Sequence, residues 1–290
     1  MSPADPARNH ERSEYAIGVL LLVASALTYS SAGLFTKGVE AAAWAVIFWR
    51  GVSAALSTTA WIIARGSLRR EFLGMGWAGL AVGLVGAAGT AAFIPAFKLT
   101  SIANVALIYA VAPLIAALLA WLAIGERIRR ATALGAVGSL IGVGIIVTGS
   151  VGSVNLTGDG LAMIMTLAMA TIMVIYRTRP DTPSAGPAVL QSLLLFPFAL
   201  AFGAPLQTDL AEIAILAAFG VLFAVASVTL AEGAKRVPAG QSALLGALET
   251  PLAPLLAFVI LSEIPPIATL IGGAVVLLAV LMSFQKIPAA

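Results

Sequence analysis

The sequence predicts an all-α polytopic membrane protein with ten transmembrane helices in two inverted five-helix repeats. Three observations carry this. The chain is 60% hydrophobic and only 10% charged, against about 25% charge in a water-soluble domain. Its apolar residues fall in long continuous runs, separated by short gaps that hold the charges and the helix breakers. One apolar segment is also written twice, 137 positions apart: Lys98 to Glu126 and Lys235 to Glu263.

Spanning a bilayer takes about 20 apolar residues. On that ruler the spans are Tyr15–Phe35, Trp44–Ala64, Gly74–Phe97, Ile102–Ile124, Ala131–Gly149, Gly158–Tyr176, Gly186–Phe202, Leu210–Ala234, Gly240–Leu261 and Ile267–Phe284. Residues 1–14 read as a disordered cytoplasmic tail, 15–149 as the first repeat and 158–284 as the second. Strands are excluded because a membrane barrel needs segments of about 10 residues with alternating polarity, and the runs here are unbroken. The gaps carry turn signals such as Arg179-Pro180-Asp181-Thr182-Pro183 and Gly203-Ala204-Pro205. The first apolar run exceeds a signal-peptide core of about 7–15 residues and reads as a retained helix.

Lys and Arg orient the chain, since they concentrate in cytoplasmic loops. With the N-terminus inside, Arg8, Arg12, Arg65, Arg69, Arg70, Arg127, Arg129, Arg130, Arg177, Arg179, Lys235, Arg236 and Lys286 are cytoplasmic. Only Lys37 and Lys98 lie outside, and Arg50 is within a span. Both termini are therefore expected in the cytoplasm. Five helices per half is an odd number, so the second half enters from the opposite side. Inverted halves with proline-broken segments at matching positions are a pointer to a substrate path near the midplane.

The same composition narrows the chemistry. There is no cysteine, and the one histidine, His10, lies in the tail, which excludes disulfides, a thiolate nucleophile and a Cys or His metal centre. No phosphate loop, catalytic triad or paired catalytic carboxylate is present, so neither enzyme activity nor a cofactor is expected. The net charge of +3 comes with no basic patch interleaved with aromatics, which argues against nucleic acid.

Charges within the spans are the exceptions that need a reason, because a charge at the bilayer centre costs several kcal/mol. Glu249 sits about ten residues into the ninth span, just before Thr250-Pro251. It contacts an amine-bearing substrate or carries a proton, or it is a satisfied structural carboxylate; the sequence leaves both open. Arg50 reads as structural, with a pairing to Glu249 conceivable. Glu126 and Glu263 close the duplicated segments and read as structural end charges. Lys98 would face the outer mouth of a cavity. Pro95, Pro113, Pro251 and Pro254 break helices within or beside the repeats, as candidate gates, and Pro197 breaks the seventh span. Tyr29, Phe93, Phe97, Asn104, Tyr109, Thr166, Met169, Met173, Ser227 and Gln241 are candidate pocket residues. Trp44, Trp77 and Trp121 read as interface belt residues. Gly79-x-x-x-Gly83 and Gly138-x-x-x-Gly142 are small-residue ladders that let helices approach.

Phe48-Trp49-Arg50, Ala112-Pro113-Leu114 running to Gly125-Glu126, and Glu249-Thr250-Pro251-Leu252-Ala253-Pro254 running to Ser262-Glu263 resemble the drug/metabolite transporter superfamily, EamA type. The Glu-Thr-Pro-Leu-Ala-Pro run is most like the YddG group of aromatic amino-acid exporters. The resemblance implies an inner-membrane secondary transporter that exports amino acids, aromatic ones first, through a central cavity lined by spans 1, 3, 4, 6, 8 and 9. Spans 5 and 10 would be peripheral. It implies a small-molecule substrate and the lipid bilayer as partners, with a monomer among the oligomeric states open to it. A small-cation or drug exporter of the same superfamily, and a non-transporting membrane scaffold, are the competing readings. Ser262 stands where the pattern has Gly, and Pro251 is one register off Pro113, so the two gates would be inequivalent.

Overall fold

A computed structural model describes residues 6–31, 35, 39–100, 102–147, 155–261 and 267–283. All regular structure among them is helical. The helices are α1 (Pro6–Ser30), α2 (Ala43–Ala64), α3 (Gly76–Leu99), α4 (Ile102–Tyr109), α5 (Ala112–Ile124), α6 (Arg130–Val147), α7 (Leu156–Thr178), α8 (Ala185–Gly203), α9 (Leu210–Arg236), α10 (Ala239–Gly246), α11 (Glu249–Leu261) and α12 (Ile267–Ser283). Helices α4 and α5 together make the fourth span, and α10 and α11 the ninth. Among the described residues, eight stretches are long and apolar enough to cross a membrane, and α12 adds a shorter apolar helix. Large apolar side chains such as Leu56, Trp77, Leu122 and Val259 lie on the outside, where lipid takes the place of a core.

Local chemistry sets the ends. Asn155 caps α7 by accepting from the Gly158 N–H at 3.0 Å, and Asp209 caps α9 by accepting from Ala211 at 2.9 Å. Helix α5 stops at Gly125, whose φ of +67° is left-handed, the conformation a glycine adopts without steric cost. The first helix departs from expectation. It starts at Pro6 rather than Tyr15, so most of the presumed tail is helical; proline suits a first helical position, and Glu14 is tied to Arg236 at 2.9 Å. A π-turn at Arg69–Leu73 precedes α3.

The packing carries the repeat symmetry. Each span of the first half has its mate five spans later. Helices α6 and α12 are mates and pack on each other, as do α2 and α8. The α3–α7 contact is matched by α9–α1, and α2–α9 by α8–α3. The α6–α12 seam is made by glycine: a Cβ on Gly142 would lie 2.7 Å from the Gly272 carbonyl oxygen. Of the two expected ladders, Gly138 and Gly142 face α12 and Gly83 faces Leu190 of α8.

The symmetry is broken in one respect. The loops rich in arginine gather at one end of the bundle, here called the basic face, where Arg177 meets Glu126 and Arg236 meets Glu14. On that side α5 packs closely against α10. Their counterparts on the opposite side, α4 and α11, have no comparable packing among the described residues. Likewise α7 packs on α9, whereas its mate pair α1 and α3 does not pack to that extent. Among the described residues, the close packing of the broken spans therefore lies at the basic face.

Candidate functional site

Both duplicated spans are interrupted, and at the same relative position. The fourth breaks at Ala110-Val111 and the ninth at Ala247-Leu248, 137 residues apart like the sequence repeat. Pro113 lies in the first turn of α5, where its missing N–H costs nothing. Proline therefore restarts the fourth span rather than kinking it. In the ninth span Glu249 opens α11 and Pro251 follows two residues later in its first turn. Pro95 lies inside α3 and Pro197 inside α8. The side chain of Pro254 lies outside the described residues.

Depth follows from helical rise, about 1.5 Å per residue. Glu249 is ten residues from the start of α10, Arg50 fourteen from the end of α2 and Tyr109 fifteen from the end of α5. All three therefore lie roughly 15–22 Å from the basic face, at mid-depth in a core about 30 Å thick. Tyr29 joins them. Its hydroxyl is 3.0 Å from the Ser227 hydroxyl, and its ring meets Phe223 edge-on with centroids 5.8 Å apart. Tyr29 lies within electrostatic range of both Arg50 and Glu249, and Tyr109 within range of Glu249 and Tyr29. Tyr109 places its hydroxyl over Gly246, where a Cβ would sit 3.4 Å from it, with Met173 at 3.6 Å. Phe93 packs near Tyr109 and meets Phe97 edge-on at 4.9 Å. Met169 is half-buried beside the same cluster.

Tyr29, Tyr109, Ser227 and Glu249 are each partly exposed at mid-depth. None of the ion pairs among the described residues involves Glu249. The pairing of Arg50 with Glu249 that the sequence allowed is not made. Arg50 is 3% exposed, and its guanidinium carbon lies 4.0 Å from the Phe223 ring centroid and 5.4 Å from that of Phe219.

Other candidates lie apart from this cluster. Thr166 is wholly buried and donates its hydroxyl to Ala162 O at 2.8 Å within its own helix, so its polarity is internally satisfied. Gln241 is buried near the basic face, close to Tyr15 and in the lining of a recess there, far from Tyr29 along the bundle. Its sequence partner Asn104, with Lys98, has a side chain outside the described residues, and Glu263 lies outside them altogether.

The basic face is held by two ionic networks. Glu126 Oε2 accepts from Arg177 Nε at 2.9 Å and Oε1 from the Ala239 N–H at 3.2 Å, tying α5, α7 and α10 together. The Gly125-Glu126 pair thereby acquires a reason: the glycine ends the helix and the glutamate bridges to two others. A recess of about 160 Å³ beside it is lined by Glu126, Arg127, Arg129, Arg177 and Gln241. In the second network Lys235 Nζ donates to Glu232 at 2.7 Å and to Ser184 at 2.8 Å, Ser184 donates to Glu232, and Arg236 donates to Glu232 at 2.8 Å. Sequence reasoning missed Glu71, which is buried and accepts from the N–H groups of Ala185 and Gly186 at 3.0 and 2.9 Å. It caps α8 from a distant helix, and only its place in an otherwise arginine-rich loop marks it in the sequence.

A duplicated helical bundle with paired mid-depth breaks defines a multi-pass membrane transporter. The profile of the EamA-like transporter family matches residues 16–148 and again 156–285, one match for each five-span half. The chain belongs to this family, within the drug/metabolite transporter superfamily. A protein of known crystal structure superposes with a TM-score of 0.80 at 21% identity, over 92% of this chain and 97% of that one, a likeness of fold. None of the curated proteins compared with the chain matches it.

Proposed function

We propose that the protein exports amino acids, aromatic ones in particular, across the bacterial inner membrane by alternating access between the two repeats. The observation that carries this is Glu249: a mid-depth carboxylate with no ion pair among the described residues, at the break of the ninth span and in electrostatic range of Tyr29 and Tyr109, with Phe93 and Met169 packed in the clusters that hold Tyr109. A carboxylate attracts the ammonium group, and aromatic side chains receive a flat apolar ring. A gradient supplies the driving force. The excess of Lys and Arg at one face supports a cytoplasmic location for that face and for both termini.

The same unpaired Glu249 supports a second reading, a small-cation or drug exporter. Uptake of radiolabelled phenylalanine, tryptophan, threonine and a quaternary ammonium dye into liposomes holding only this protein separates the two. Aromatic amino-acid flux is the expected result; dye flux alone would replace the first reading with the second.

A further inference from the structure

We propose that Arg50 recognises the substrate's carboxylate, so that the site takes a zwitterion whose two ends are read by Arg50 and Glu249. This rests on the amino-acid reading and assigns its second contact. A cation at membrane depth ordinarily has a carboxylate partner. Arg50 has none among the described residues: no ion pair involves it, and its buried Nε has no hydrogen-bond acceptor. The Phe223 and Phe219 rings lie against its charge, which satisfies no N–H. Nε is one of the two donors that a carboxylate takes in a side-on bidentate pair.

The neighbourhood suits such a pair. Phe223 meets the ring of Tyr29, and the Tyr29 and Ser227 hydroxyls are bonded to each other and partly exposed. Phe223 lies against both the Arg50 guanidinium and the Tyr29 ring, and Tyr29 is in electrostatic range of Glu249 as well, so a molecule seated against Tyr29 is near both charges. Charge balance selects the class. One fixed cation and one fixed anion at mid-depth sum to zero, and a zwitterion leaves neither uncompensated. A phosphate dianion would carry excess charge into the bilayer centre, as would a dication.

The test compares phenylalanine with phenethylamine, the same molecule without its carboxylate, using the full chain in liposomes. In R50Q the KM for phenylalanine should rise by about thirtyfold, while the concentration of phenethylamine that half-inhibits binding stays within about twofold of wild type. R50K keeps the charge but loses the planar fork, and should recover part of the phenylalanine affinity. Equal losses for both ligands in R50Q and R50K would make Arg50 a structural cation and overturn the assignment, as would an unchanged phenylalanine KM in R50Q. If R50Q does not fold, the two ligands are compared in R50K alone, where a loss confined to phenylalanine supports the assignment and an equal loss overturns it. Wild-type protein that moves no amino acid sinks the amino-acid reading instead; binding of 3-phenylpropionate against its neutral amide then decides Arg50 separately, and equal affinity for the two overturns it.

Discussion

Replacing Glu126 by Gln removes the charge that ties the α5 terminus to α7 while keeping the side chain's size. The pair it breaks has a 2.9 Å contact between groups 21% and 31% exposed. Partial solvation screens such a pair, which sets its worth at about 1 kcal/mol. That energy belongs to the arrangement in which α5 and α10 are shut together. Removing it moves the equilibrium toward an open basic face by about fivefold. The chain has no cysteine, so one introduced thiol reports alone. Thr132 is suited to carry it: it is 8% exposed and lines the recess beside Glu126. Thr132→Cys should react with a membrane-impermeant maleimide about fivefold faster in E126Q than in the parent. An unchanged or slower rate, with thermal stability preserved, would refute the idea that Glu126 holds this face shut.

Three further outcomes are expected. Transport by Glu249→Gln should lose its pH dependence if a proton is coupled, measured as uptake across a range of buffered pH in liposomes; retained dependence removes Glu249 from proton coupling. Gly142→Val drives side-chain atoms toward the Gly272 carbonyl, which a Cβ alone approaches to 2.7 Å, and should destabilise the fold by about 1–3 kcal/mol, seen as a lower unfolding temperature in detergent; an unchanged temperature would show that α6 and α12 separate freely. Glu71→Gln weakens two charge-assisted contacts to the start of α8 and should cost about 1–2 kcal/mol, read in the same assay, with no loss meaning that water replaces the cap.

Much of the fold was legible because lipid imposes a simple rule: long apolar runs must be helices. The duplicated segment identified the interrupted spans, since proline-rich runs at one offset have one meaning in inverted halves. The place of each interruption was less legible. Pro113 suggested a kink at itself, but proline is tolerated in a first turn, so the break falls just before it. Glu71 was hidden because its partners are backbone groups 114 and 115 residues away, and nothing local announces a long-range cap. Gln241 matches Asn104 in sequence, and it lines the recess near the basic face rather than joining the mid-depth cluster. Arg50 was visible as a costly charge, yet only the structure reveals two aromatic faces in place of an acid.

The uneven packing of the two broken spans holds a picture of a second shape. The halves share one architecture in opposite orientations, so under the proposed alternating access each shows what the other becomes. The close fit of α5 on α10 is then a template for how α4 would meet α11, and the lack of comparable α4–α11 packing among the described residues a template for the basic face once released. Under that mechanism each contact surrendered on one side has a counterpart on the other. A carrier built this way needs only a modest bias, such as a bound molecule or one weakened ion pair, to turn over.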